Sequence, residues 1–354
     1  MAVHFDRARL EQVIDNHALW WEGKLDRPLV RAVITDAYEA KQMDIPVLSQ
    51  ANCTDFRYSP EELIEALDNW LSRQEYLGDG YPLVNFDGFG PGVLAAFCGA
   101  KLDNSSGGVW FFPPEEDMEL RDIHVRYDPE NVYVRRIRDI YRAGLKKWNG
   151  SVVMGLPDLG GVMDVAATFR GSENLLLDLY DEPDEVLRLV KEIETAWYEA
   201  FYDFVEVLRP QGCFTDWNGL LSREPSYIIQ CDFCYMIGNP MFRGFVLETL
   251  RRDTEKLCNT IYHLDGVGEL NHLDDILTLE KLNAVQWVFG AGKPDAENWL
   301  DIYRKIAASG KQYMVTGSPE SFLKVMNELH GTPFGSFGFK QKDRDLAMQV
   351  LSAR

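Results

Sequence analysis

Along most of this chain, short apolar runs alternate with segments of helical period. No other feature limits the architecture as much. Strand candidates are Leu29–Ile34, Leu83–Phe86, Val109–Phe112, Val152–Leu156, Cys213–Thr215, Ile261–Leu264, Ala284–Val288 and Tyr313–Val315, the last four being the clearest. The intervening segments have helical period and recognisable starts. Ser59-Pro60-Glu61-Glu62 offers a serine N-cap with proline at the first helical position. Asp128-Pro129-Glu130, Asn239-Pro240 and Ser318-Pro319-Glu320 open others in the same manner. Residues 182–208 form a long amphipathic helix, ended by Pro210 and Gly212. The pattern predicts an α/β fold, a single parallel (β/α)8 TIM barrel over residues 29–354. Residues 1–28 form an N-terminal helical extension that covers its bottom or side. A doubly wound open sheet is the other architecture compatible with the alternation.

The chain has 354 residues, 46% of them hydrophobic, which suits one large domain with a substantial core. Acidic residues outnumber basic ones 56 to 36, a formal net charge of −20. Such a field repels nucleic acid and anionic membranes, although a local basic pocket can persist inside it. The N-terminus lacks the apolar run of a signal peptide, and no stretch approaches bilayer-spanning length. Cys53, Cys98, Cys213, Cys231, Cys234 and Cys258 are scattered, unlike a disulfide framework. The expectation is a cytoplasmic protein with reduced thiols.

The richest chemistry lies in Thr260-Ile261-Tyr262-His263-Leu264-Asp265-Gly266. Alternation puts His263 and Asp265 on one side of a strand, and Gly266 lets the chain turn just beyond them. An imidazole beside a carboxylate binds a metal or serves as an acid–base pair; alternatively, a turn-forming Asp simply holds the histidine. In a (β/α) barrel the C-terminal ends of the strands line the active mouth. Asp36, Asp87, Asp158, Asp216 and Asp265 stand at such ends, with Glu115 a looser case. Some of these serve as helix caps or turn residues, as Asp commonly does. Asp216 and Asp265 follow the clearest strands and lead as site residues.

Cys231-Asp232-Phe233-Cys234 is a lone CxxC without the second pair that a zinc ribbon needs, so packing thiols are the first reading. His124, His272 and His330 fall in structural or exposed settings. Trp217, Trp287 and Tyr262 stand near strand ends, where aromatics wall a flat ligand or simply pack. No dinucleotide, Walker, serine-hydrolase or zincin motif occurs.

From about residue 80 onward the chain resembles the uroporphyrinogen decarboxylase superfamily. The likeness rests on Gly90-Pro91 through Leu94-Ala95-Ala96, Gly155-Leu156-Pro157-Asp158, and the run from Phe169-Arg170-Gly171 to Leu177-Asp178. Gln230-Cys231-Asp232-Phe233, Tyr262-His263-Leu264-Asp265-Gly266 and Gly317-Ser318-Pro319-Glu320 continue it. Decarboxylases of this superfamily carry an arginine-rich motif near strand one, whereas this chain has Arg31-Ala32-Val33-Ile34-Thr35-Asp36. The resemblance is therefore closer to the corrinoid-dependent methyltransferase branch. That branch's strand motif is His-x-Cys; here His263 matches and Asp265 replaces the cysteine. The resemblance implies a methyltransferase moving a methyl group between a small methylated compound and a cobalamin protein or small acceptor. His263 and Asp265 would hold Zn²⁺, Asp216 would complete or support the site, and Asp87, Asp158, Trp217, Tyr262 and Trp287 would meet substrate. A corrinoid protein is the implied partner, and a homodimer is compatible. The alternatives are a metal-independent lyase or decarboxylase of a small carboxylated substrate, using His263 and Asp265 as an acid–base pair, and a non-catalytic binding subunit.

Overall fold

The computed structural model describes residues 3–353. In chain order the strands are β1 (Leu29–Ile34), β2 (Glu75–Gly78), β3 (Leu83–Val84), β4 (Lys101–Asp103), β5 (Trp110–Phe112) and β6 (Val153–Met154). They continue with β7 (Tyr227–Gln230), β8 (Thr260–Asp265), β9 (Ala284–Val288), β10 (Gln312–Val315) and β11 (Phe334–Phe339). Seven of these form one sheet in the order β2-β1-β11-β10-β9-β8-β7. Every neighbouring pair in it is parallel except β1 with β2. Helices Leu247–Lys256, Leu300–Ala308 and Pro319–Leu329 link successive parallel strands. Parallel strands joined by helices are covered on the helical face, which explains why β8 and β9 read as nearly continuous apolar runs.

The fold is thus α/β around a mostly parallel sheet, but the ladders differ from an eight-strand ring. β3 pairs only with β6, in a separate two-stranded sheet. The expected strand Val109–Phe112 supplies β5, which pairs antiparallel with β4 outside the main sheet. The expected strand Cys213–Thr215 makes only an isolated bridge between Phe214 and Ser222. It still lies beside β6, because Leu156 N donates to Thr215 O at 2.8 Å. Gly155 N donates to Val84 O at 3.0 Å on the other flank.

The expected N-terminal helix spans Arg7–Trp21. Phe5, Leu10, Val13 and Ile14 bury against Val33, Leu83, Val153, Cys213 and Leu221. The helix is tied down by Trp20 Nε1 donating to Thr332 O at 2.8 Å and Trp21 Nε1 donating to Leu221 O at 2.9 Å. Burying each such apolar side chain is worth about 1.5–3 kcal/mol, so this contact anchors the segment firmly. The long helix runs Pro183–Leu208, starting where the Glu182-Pro183 pair allows. Asp128, in contrast, does not cap a helix. Its carboxylate takes Glu130 N in a local turn, and Asn131 caps helix Val132–Trp148 instead. Among the described residues no helix is long and apolar enough to cross a membrane.

Candidate metal and substrate site

Strand alternation creates a wet face on the sheet. In β8 Tyr262 and Leu264 are buried, while His263 and Asp265 are half-exposed. In register, His263 opposes Gln286 of β9, which opposes Met314 of β10, which opposes Phe334 of β11. Ser336 shares Phe334's side and opposes Arg31 of β1. Arg31 is the one half-exposed residue of β1, and Ser336 and Gln230 are likewise half-exposed. Solvent reaches this face at Gln230, His263 and Asp265 and again at Ser336 and Arg31, while Gln286, Met314 and Phe334 between them are buried.

His263 is held from two sides. Its Nδ1 lies 2.5 Å from Gln286 Oε1, and Gln286 Nε2 donates to Met314 Sδ at 3.1 Å. With the amide nitrogen turned to the sulfur, the amide oxygen faces the ring and accepts from Nδ1–H. That tautomer leaves the Nε2 lone pair bare. Trp217 packs edge-on against the ring, with centroids 5.0 Å apart.

Two carboxylates face this nitrogen. Asp265 Oδ2 is 3.8 Å from Nε2, beyond a hydrogen bond. Asp232 arrives from the turn after β7, and one ligand atom each of Asp232, His263 and Asp265 lies within 4.8 Å of the others. It is the one such group of His, Cys, Asp or Glu among the described residues. Gly266, at φ +81°, turns the chain sharply after Asp265. Asp232 is positioned through its backbone: Asp164 accepts from Asp232 N at 3.2 Å and from Phe233 N at 2.7 Å. The approach needs glycine at 161, where a Cβ would come 2.3 Å from both Gln230 O and the Asp164 carboxylate.

The electrostatics favour binding of a cation here. Among the described residues no Lys or Arg pairs with Asp232 or Asp265. Asp232 is exposed to solvent, but the chain packed around its carboxyl, with Asp265's like charge adding, pushes it up; His263 opposes the shift. Asp164 is pushed to about 7 by burial and by Asp232. Glu269, fully buried behind the site, is pushed to about 11 by burial, then by Cys234 and Asp232. One nitrogen and two oxygen donors suit a divalent ion such as Zn²⁺ with open positions left over, the donors needing to close to roughly 2.0–2.2 Å from it.

The other candidates stand as follows. The Asp216 carboxylate is filled by protein donors, Asn218 N at 2.9 Å, the Asn218 amide and Ile228 N at 2.7 Å, so it ties the loop after residue 215 to β7. Burial pushes Asp216 to about 7. Asp158 accepts from Gly160 N at 3.0 Å and is likewise pushed to about 7, by burial and then by Asp216 and Asp232. Tyr262 and Trp287 are fully buried on the face opposite His263; Tyr262 OH lies 3.5 Å from Glu269, and Trp287 packs on Trp299. Asp87 is exposed at the start of the turn Asp87–Phe89. Sequence reasoning missed Asp232, Asp164 and Gln286. Gln286 had a signal, being the one polar residue in Ala284-Val285-Gln286-Trp287-Val288.

No known family profile matches the chain, and no curated protein matches it in sequence. Among solved structures, a methyltransferase from Methanosarcina mazei superposes with a TM-score of 0.55 over 88% of this chain and 94% of that one, at 12% identity. At that identity the likeness speaks for a shared fold.

Proposed function

We propose that this chain is a metal-dependent methyltransferase on a closed (β/α) barrel, working with a corrinoid protein. The convergence of Asp232 and Asp265 on the bare Nε2 of His263 carries the reading. Supporting the closed barrel, the bonds Gly155 N to Val84 O and Leu156 N to Thr215 O join β3, β6 and the 213–216 segment. Ile228 N then leads from Asp216 to β7. The fold neighbour's printed activity and the superfamily resemblance favour methyl transfer.

Asp232, His263 and Asp265 would hold a Zn²⁺ ion, which when bound would supply Lewis acidity toward a heteroatom of the methyl donor or acceptor. Gln286 keeps the His263 proton on Nδ1 and aims Nε2 into the site. Asp164 fixes the turn that bears Asp232. Trp217 closes one wall and limits water. A lyase using His263 and Asp265 alone has less support, because their 3.8 Å gap is not a hydrogen bond.

The test is incubation with reduced cobalamin and a panel of methoxy and methylamine compounds. Methylcobalamin formation that requires bound metal and is lost in His263→Ala supports the reading. Metal-loaded protein silent across the panel overturns it.

A further inference from the structure

The two carboxylates that face His263 stand on different strands' ends. The β7–β8 ladder stops at Gln230 opposite His263, so Asp232 lies beyond it and its place depends on the turn that carries it. Tyr235 belongs to that turn, Asp232–Met236, and its ring lies across the glycines that follow Asp265. A Cβ on Gly268 would come 2.6 to 2.7 Å from three carbons of the Tyr235 ring, and one on Gly266 would come 3.1 Å from the nearest.

The two glycines have different reasons to be glycine. Gly266 has φ +81°, which favours glycine whatever surrounds it. Gly268 has φ −69° and ψ −31°, ordinary right-handed values open to most residues. Its missing side chain therefore answers to the space that the Tyr235 ring fills. A second tie runs beside the first. His272, fully buried in the turn Glu269–His272, donates from Nε2 to Cys234 O at 2.9 Å, and Phe242 stacks on its ring at 4.3 Å. Tyr235 itself is 52% exposed, so its ring adds little to the core.

We propose that Tyr235 is a positioning residue, braced by the His272 bond, that clamps the turn bearing Asp232 onto the turn following Asp265 and sets the spacing of the two carboxylates around His263 Nε2. The inference deepens the metal reading of this site and rests on it for the link to zinc. Asp164, on helix Val162–Arg170, holds Asp232 from one side through the Asp232 and Phe233 N–H groups. Tyr235 holds it from the other. Donors fixed in this way before the ion arrives lose little further freedom when they bind it.

Zinc affinity of the full chain, read by competition against a chromophoric chelator, tests the clamp. Tyr235→Ala should weaken it about tenfold, the lower end of what residues orienting metal ligands contribute. Tyr235→Phe keeps the ring and should stay near wild type. Gly268→Ala should match Tyr235→Ala, because the added methyl displaces the ring while the backbone accepts it. The double variant should be no weaker than either single one, since both changes act on one contact. Melting temperatures should stay close to wild type throughout, which separates positioning from a loss of folding. Unchanged zinc affinity in Tyr235→Ala, or additive losses in the double variant, overturns the clamp. A wild-type chain that binds no zinc removes the metal reading instead, and hydrogen exchange without metal then decides the clamp. The Asp232 and Phe233 amides should exchange faster in Tyr235→Ala and in Gly268→Ala; unchanged exchange in both overturns it.

Discussion

The imidazole Nδ1 of His263 and the side-chain oxygen of Gln286 are 2.5 Å apart, across directly opposed positions of β8 and β9. That contact decides which ring nitrogen faces Asp232 and Asp265. A residue that orients a metal-binding histidine typically matters about 10–100-fold in metal affinity. Gln286→Leu should therefore weaken zinc binding by roughly that factor while leaving the thermal transition largely in place. Competition against a chromophoric chelator measures the first, and scanning calorimetry the second. Unchanged affinity would mean that His263 is oriented by Trp217 alone.

The three ligand candidates should respond differently from Asp216. His263→Ala should remove most of the bound metal, and Asp232→Asn and Asp265→Asn should each weaken it. Asp216→Asn should leave metal content unchanged, because that carboxylate is occupied by Asn218 and Ile228 donors. It should instead lower stability by about 1–3 kcal/mol, the cost of disturbing buried hydrogen bonds. Elemental analysis beside urea unfolding separates the two kinds of effect. Metal loss in Asp216→Asn with Asp232→Asn silent would reverse the assignment.

What could be read in the sequence followed from burial. β8, β9 and β10 announced themselves because strands buried on their helical face must be apolar nearly throughout. β11, Phe334-Gly335-Ser336-Phe337-Gly338-Phe339, was missed because glycine weakens any strand signal. β7 was missed as a four-residue run next to the cysteines, and with it went Asp232, whose place depends on where β7 ends. The His-x-Asp pair was legible because both members belong to one strand. Its third member comes from another strand's turn, and Asp164 acts through backbone N–H groups, which no side-chain motif records. Tyr262 and Trp287 were assigned by nearness to strand ends, where the one-residue step that reverses a side chain decides everything.

Tyr227 is a further structural test. Its hydroxyl donates to Pro157 O at 2.6 Å and accepts from Leu159 N at 2.7 Å, bracketing Asp158. Tyr227→Phe leaves a buried N–H and a buried C=O without partners. The expected loss is about 1–3 kcal/mol, read from the urea midpoint. Hydrogen exchange should quicken at Leu159 and stay unchanged at β9. Wild-type stability in this variant would mean that water replaces the phenol at no cost.

The last expectation concerns pH and a carboxyl far from the metal ligands. Asp253 is buried beneath helix Pro183–Leu208, takes the Tyr198 hydroxyl, and is pushed to about 7 by burial, with Glu194's charge adding. An unfolded Asp titrates near 3.8. Between those values the folded state keeps a proton that the unfolded state releases. The contribution to stability is therefore full below 3.8 and is lost as pH rises toward 7. Asn mimics the protonated acid and does not titrate. Asp253→Asn should match wild type near about pH 4 and exceed it near about pH 8, by an amount on the order of a few kcal/mol. Urea unfolding of both proteins at the two pH values measures the difference. Equal midpoints at the higher pH would show that Arg252 and Lys256, both beside Asp253, already neutralise the carboxylate in the folded protein.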